Sequence, residues 1–140
     1  MNNTECIKLS FPVNPAYISS ARLTVSSIAN RVGFDIDEIE DIKTAVQEAC
    51  IYIIKRSANV PKSNFEICFK PGDKEMLIEI VAEDNLGTLP EESQNNSNNL
   101  NHEMSLMMIK ALVDEFTIVK PSTDKISIVM EKKHKEILFK

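Results

Sequence analysis

Apolar residues recur along this chain in two periods, and the alternation between them maps its elements. Ile7, Leu9 and Phe11 alternate with Lys8 and Ser10, which predicts a half-buried strand over residues 6–11. Pro12 ends it. Asn14 then stands as a helix cap with Pro15 at the first helical position. The period changes to that of a helix at Ile18, Ala21, Val25, Ile28, Ala29 and Val32, and Gly33 supplies the stop. A long amphipathic helix over residues 37–57 follows at once, with Ile39, Ile42, Val46, Ala49, Ile53 and Ile54 as its stripe. Asp35 and Glu38 form a capping box, and Phe34 and Ile39 sit where a hydrophobic staple packs. Two helices joined this closely pack side by side.

Past a loop around Pro61, residues 64–70 and 76–81 read as two strands joined by the turn Pro71-Gly72-Asp73-Lys74, the second more continuously apolar and so central. Residues 83–103 are rich in Asn, Ser and acidic side chains and too polar to build core, so residues 84–103 are expected to form a lid-like loop. A third helix over 104–113 turns Leu106, Ile109, Val113 and its methionines inward. Strands over 115–119 and 125–130 close the pattern, and the tail KKHKEILFK is expected to fray. One-sided helices and strands in this order predict an α/β two-layer sandwich over residues 1–140: one mixed, mostly antiparallel sheet with the helices on one face, without repeat or domain boundary.

Composition adds limits. The chain has 140 residues, 43% apolar and 26% charged, the profile of an ordinary globular domain. A net charge of −5 argues against a general nucleic-acid surface. No apolar run could span a bilayer, and the N-terminus lacks a signal pattern, so a cytoplasmic protein is expected. Cys6, Cys50 and Cys68 are widely spaced, with no zinc or redox pattern, and read as small reduced thiols. With only His102 and His134 present, a histidine-based metal site is not expected.

The order of elements resembles the GHKL (Bergerat-type) ATPase domain. The stretches ARLTVSSIANRVGF (residues 21–34) and DEIEDIKTAVQEAC (residues 37–50) look like the anti-sigma serine kinases of Gram-positive bacteria, the RsbW and SpoIIAB type, and VDEFTIVKPS (residues 113–122) matches the family's last crossover more weakly. The resemblance implies a homodimer that sequesters a stress or sporulation type sigma factor and so regulates transcription. An anti-anti-sigma protein releases the sigma factor, and the kinase switches that antagonist off by phosphorylating a serine with ATP and Mg²⁺. Arg22 matches a partner-facing arginine on the first helix.

The same resemblance locates the nucleotide motifs and shows them altered. Glu48 and Ala49 match the first, with Glu48 as general base for the antagonist's serine. Tyr52 stands where the family has its Mg²⁺-ligating asparagine, and a phenol with a pKa of about 10 is a poor hard-oxygen ligand. Arg56 replaces a frequent histidine. In the second motif a strict alignment puts Glu83 at the adenine-reading aspartate and Asn85 at a glycine. A one-residue slip restores Asp84 but leaves Gly87 one place too far. The third motif should offer bare backbone N–H groups to phosphates, yet the chain has His102, Glu103, Met104 and Ser105 there, and Glu103 at a helix start would repel a triphosphate. Three functions follow. The first is a sequestering anti-sigma factor with an eroded nucleotide site. The second is an active serine kinase with a divergent site. The third is a scaffold that only dimerises.

Overall fold

The computed structural model describes residues 5–56, 63–84 and 99–135, with residues 99–103 as backbone only. The chain runs β1 (Ile7–Pro12), a 3-10 turn (Pro15–Tyr17), α1 (Ile18–Val32), α2 (Ile36–Arg56), β2 (Asn64–Pro71), β3 (Glu75–Glu83), α3 (Asn99–Leu112), β4 (Glu115–Ser122) and β5 (Lys125–Lys133). The strands form one five-stranded sheet in the order β1-β2-β3-β5-β4. Every pairing in it is antiparallel, so the mixed sheet expected from the sequence has no parallel pair among the described residues. β3 is central, as its apolar run suggested. β5 pairs with it along its whole length, from Glu75↔Lys133 to Glu83↔Lys125.

Local signals set the helix ends. The Asn14 side chain accepts from Ala16 N at 2.9 Å, so the predicted cap holds a 3-10 turn that leads into α1. Gly33 closes α1 with φ at +106°, a left-handed conformation that costs other residues about 1–2 kcal/mol. A Cβ at Gly33 would meet nothing within 4 Å, so Gly33→Ala tests backbone conformation alone. It should destabilise by about 1–2 kcal/mol, read in urea as a lower midpoint with unchanged slope. The capping box at α2 is present in both directions: Glu38 N donates to Asp35 Oδ1 at 2.8 Å, and Asp35 N donates to Glu38 Oε1 at 2.9 Å.

The core lies between the sheet and the helices. Phe65, Ile67 and Phe69 of β2, Met76, Ile78 and Ile80 of β3, and Ile126, Ile128 and Met130 of β5 point into it. Val25 and Ile28 of α1 and Ile42, Val46 and Ile53 of α2 meet them from the other side.

Four expectations need correction. α3 begins at Asn99, inside the stretch read as a lid; residues 85–98 of that stretch lie outside the described residues. The α3 methionines do not face the core: Met104, Met107 and Met108 are exposed, because α3 packs through Ser105 and Ile109. The tail does not fray at its start, since β5 runs to Lys133 and His134 N donates to Lys74 O at 2.8 Å. Residues 136–140 lie outside the described residues. Finally, Cys6 and Cys68 are not isolated thiols. They pair as a disulfide on the helix-free face, with Cα atoms 6.2 Å apart, because β1 and β2 are neighbours despite 62 residues of separation. Cys50 alone is a buried free thiol, and burial pushes it up to about 12.

Candidate functional site

Three of the singled-out residues converge where the end of α2 passes the end of β3. Tyr52 and Arg56 lie one helical turn apart on α2, where residues four positions apart are neighbours. Both are buried, Tyr52 to 1% exposure. Arg56 Nη1 donates to the Tyr52 hydroxyl at 3.3 Å, and Arg56 Nε donates to Asp84 Oδ1 at 2.8 Å. Lys120 of β4 donates to the other oxygen of Asp84. Asp84, just past β3, has no solvent exposure. Its backbone is fixed as well, Asp84 N donating to Asp124 O at 2.9 Å.

Electrostatics follow from this geometry. Burial alone would raise the Asp84 carboxyl, but hydrogen bonds from Arg56 and Lys120, and then their charges, outweigh it and hold the group below the usual carboxylate range. Burial likewise acts to lower Arg56, and its hydrogen bond with Asp84, with help from Tyr52, pushes it higher instead. Lys120 escaped the sequence reading, yet a signal existed. Phe116, Ile118 and Lys120 share one parity along β4, and the first two pack against the core. A lysine at an inward strand position implies a buried partner.

The remaining positions distribute around this cluster. Glu48 sits half-buried one turn before Tyr52, and the buried Ser105 of α3 donates to its Oε1 at 3.1 Å. Glu83 is exposed while Asp84 turns inward, so of the two residues left open by alignment only Asp84 reaches the α2 side. Asn85 lies outside the described residues, and His102 and Glu103 fall on the first turns of α3, with side chains outside them too. Arg22 stands apart: its Nη1 donates to Gln47 Oε1 at 2.8 Å and to Lys43 O at 3.3 Å, laying the half-exposed side chain across α2.

One group of metal-capable side chains gathers among the described residues: Asp35, Glu38 and His134, with ligand atoms within 4.8 Å of one another. Oxygens of Asp35 and Glu38 already accept backbone N–H groups at the start of α2, Glu38 accepts a further one from Lys135 beyond β5, and the helix dipole there opposes a cation.

The histidine kinase-like ATPase domain matches residues 11–132. The chain belongs to that family. It is similar to the serine-protein kinase RsbW of Bacillus subtilis (strain 168), 37% identical over 83 residues, which cover 59% of this chain and 51% of that protein. It is 38% identical over 85 residues to the RsbW of Bacillus cereus (strain B4264), covering 61% and 52%. The RsbW of Oceanobacillus iheyensis is 40% identical over 84 residues, covering 60% and 52%. The chain therefore spans about half the length of the curated relatives it matches.

Kinases of the histidine kinase-like ATPase family generally use ATP and Mg²⁺, and in this chain the side-chain oxygens of Tyr52 and Asp84 are already engaged by protein cations. Mg²⁺ takes hard oxygens in tight octahedral geometry. The oxygen offered at Tyr52 is that of a phenol, fully buried and bonded to a guanidinium. Both oxygens of Asp84 accept from cations of the protein itself. No helix among the described residues is long and apolar enough to cross a membrane.

Proposed function

We propose that this chain acts by binding proteins: an anti-sigma factor, working as a homodimer, that sequesters a sigma factor and yields it to an anti-anti-sigma protein, with its nucleotide site given over to structure. The observation that supports this reading is the Arg56–Asp84–Lys120 cluster with Tyr52, in which side chains at the altered motif positions bind one another. A binding surface needs no such chemistry. Arg22, on a helix face that the cluster leaves untouched, stays half-exposed and is held in one orientation by Gln47. Its charge reversal, Arg22→Glu, should weaken a complex with the cognate sigma factor at least tenfold.

Calorimetry with Mg²⁺–ATP, and ADP as control, tests the nucleotide half of the reading. The expected result is no heat and no thermal stabilisation at millimolar nucleotide. Micromolar binding would overturn it. The second reading, an active serine kinase, draws on Glu48, which remains half-exposed at the position of the family's base. Phosphate transfer to an anti-anti-sigma protein, abolished by Glu48→Ala, is the result that would establish it. A protein that dimerises yet binds no sigma factor would leave only the scaffold.

A further inference from the structure

The three thiols of this chain have unlike surroundings. Cys50 is fully buried in the middle of α2 and, raised to about 12, carries almost no thiolate near neutral pH. Cys6 is exposed and lies just before the first paired residue of β1, while Cys68 is half-buried on β2. Both stand on the sheet face opposite the helices: on β2 the residues of the other parity, Phe65, Ile67 and Phe69, are the ones in the core. Neither contributes to that core, so the fold is packed without them.

We propose that Cys6 and Cys68 are a reversible thiol–disulfide site that clamps the edge strand β1 to β2. Exposed disulfides are the ones open to exchange, whereas buried structural ones resist it. The strand being clamped is an edge of the sheet, paired on one side only. Phe11 is the one buried residue of β1, at the end far from Cys6. Toward Cys6 the strand depends on its pairing with β2, Ile7↔Phe69, Lys8↔Cys68 and Leu9↔Ile67. A covalent bond at that end fixes the segment that leads, through Pro12 and the Asn14 cap, into the helix bearing Arg22.

The oxidant is a peroxide. The exposed Cys6 thiol gives up its proton, the thiolate attacks one peroxide oxygen, the O–O bond breaks, and the departing hydroxide takes up a proton, so a sulfenic acid and water form. The Cys68 thiol then attacks the Cys6 sulfur, the S–O bond breaks, and a second water leaves. Two thiols lose two electrons and two protons, and hydrogen peroxide becomes two waters. Glutathione reverses the bond by two exchange steps through a mixed disulfide, becoming oxidised itself.

The test uses the full chain, reduced and then treated with hydrogen peroxide, with peptide mapping under non-reducing conditions. The expected product is one linked pair carrying Cys6 and Cys68, with Cys50 alkylated only after unfolding. Reduction by glutathione should reopen the bond, speed amide exchange at Ile7 to Leu9, and lower Tm by roughly 5–10 °C. Cys6→Ser and Cys68→Ser should each abolish these differences, and Cys50→Ser should keep them. The proposal is overturned if the linked pair is absent, or if oxidation joins Cys6 of two molecules. It is equally overturned if the bond forms but resists glutathione, or if exchange at β1 is the same in both states.

Discussion

Asp84→Asn lowers the stability of this protein by about 3–5 kcal/mol, because it removes a buried carboxylate that two cations share. For a chain of 140 residues this is a fall in Tm of roughly 10–15 °C. Part of the loss is the attraction removed, and part is the buried positive charge that loses its bonded carboxylate. Arg56 is buried and cannot turn to water, whereas the long Lys120 stem can carry its ammonium outward. Changing both partners should therefore restore much of the loss, as with Asp84→Leu combined with Arg56→Met, since apolar replacements of buried ion pairs are often neutral. A pH profile adds a second readout. The folded carboxyl lies below its unfolded value, so its contribution is complete above the ordinary aspartate range, about pH 4, and is lost as pH falls through the folded value. The wild type should lose stability steeply there, and Asp84→Asn should show a shallower acid limb. A loss under about 1 kcal/mol would show that the cluster is not the buried structural unit described here.

That prediction could not have come from the sequence, and the reason is physical. Capping, turn and period are local. Asn14, Gly33, the Asp35–Glu38 box and the Pro71-Gly72 turn act within a few residues, and each was legible. The antiparallel order β1-β2-β3-β5-β4 was not, because β5 inserts between β3 and β4 and no hairpin signal encodes that. What depends on strand order was lost with it. Cys6 and Cys68 share an outward parity on neighbouring strands, and this becomes informative only once β1 is placed beside β2. Arg56, Asp84 and Lys120 come from three elements, and alignment alone could not choose between Glu83 and Asp84. Strand parity separates the two in space, since Glu83 is an outward position of β3 and Asp84 follows on the inward side. The methionines of α3 failed for a different reason. Met104, Met107 and Met108 form as good an apolar helical stripe as Leu106, Ile109 and Leu112, and the tertiary contact that selects between the two faces is Ser105 on Glu48.

Glu38→Ala has the second large effect, about 2–4 kcal/mol, beyond the ~1 kcal/mol that a helix cap alone contributes. The capping box shows only part of what this residue holds. Its Oε1 accepts from Asp35 N and faces His134 Nδ1 at 2.6 Å, and its Oε2 accepts from Lys135 N at 2.8 Å. An ionised carboxylate can only accept, so Nδ1 of His134 carries the proton in this contact. The imidazole also meets the Phe34 ring edge-on, with centroids 6.3 Å apart. One side chain thus ties the start of α2 to the chain leaving β5. Burial acts to raise the Glu38 carboxyl, and the backbone N–H groups of Asp35 and Lys135, with His134, hold it below its ordinary value. Its contribution is therefore complete above about pH 4.3 and lost as pH falls through the lower folded value. Amide exchange separates the cap from the tie. Loss of the cap loosens the first turn of α2, while loss of the tie also exposes Lys133 to Lys135. Glu38→Ala should speed exchange at both, and Asp35→Ala at the helix start only. If residues 133–135 exchange equally fast in wild type and Glu38→Ala, the tie contributes nothing and the effect reduces to that of an ordinary cap.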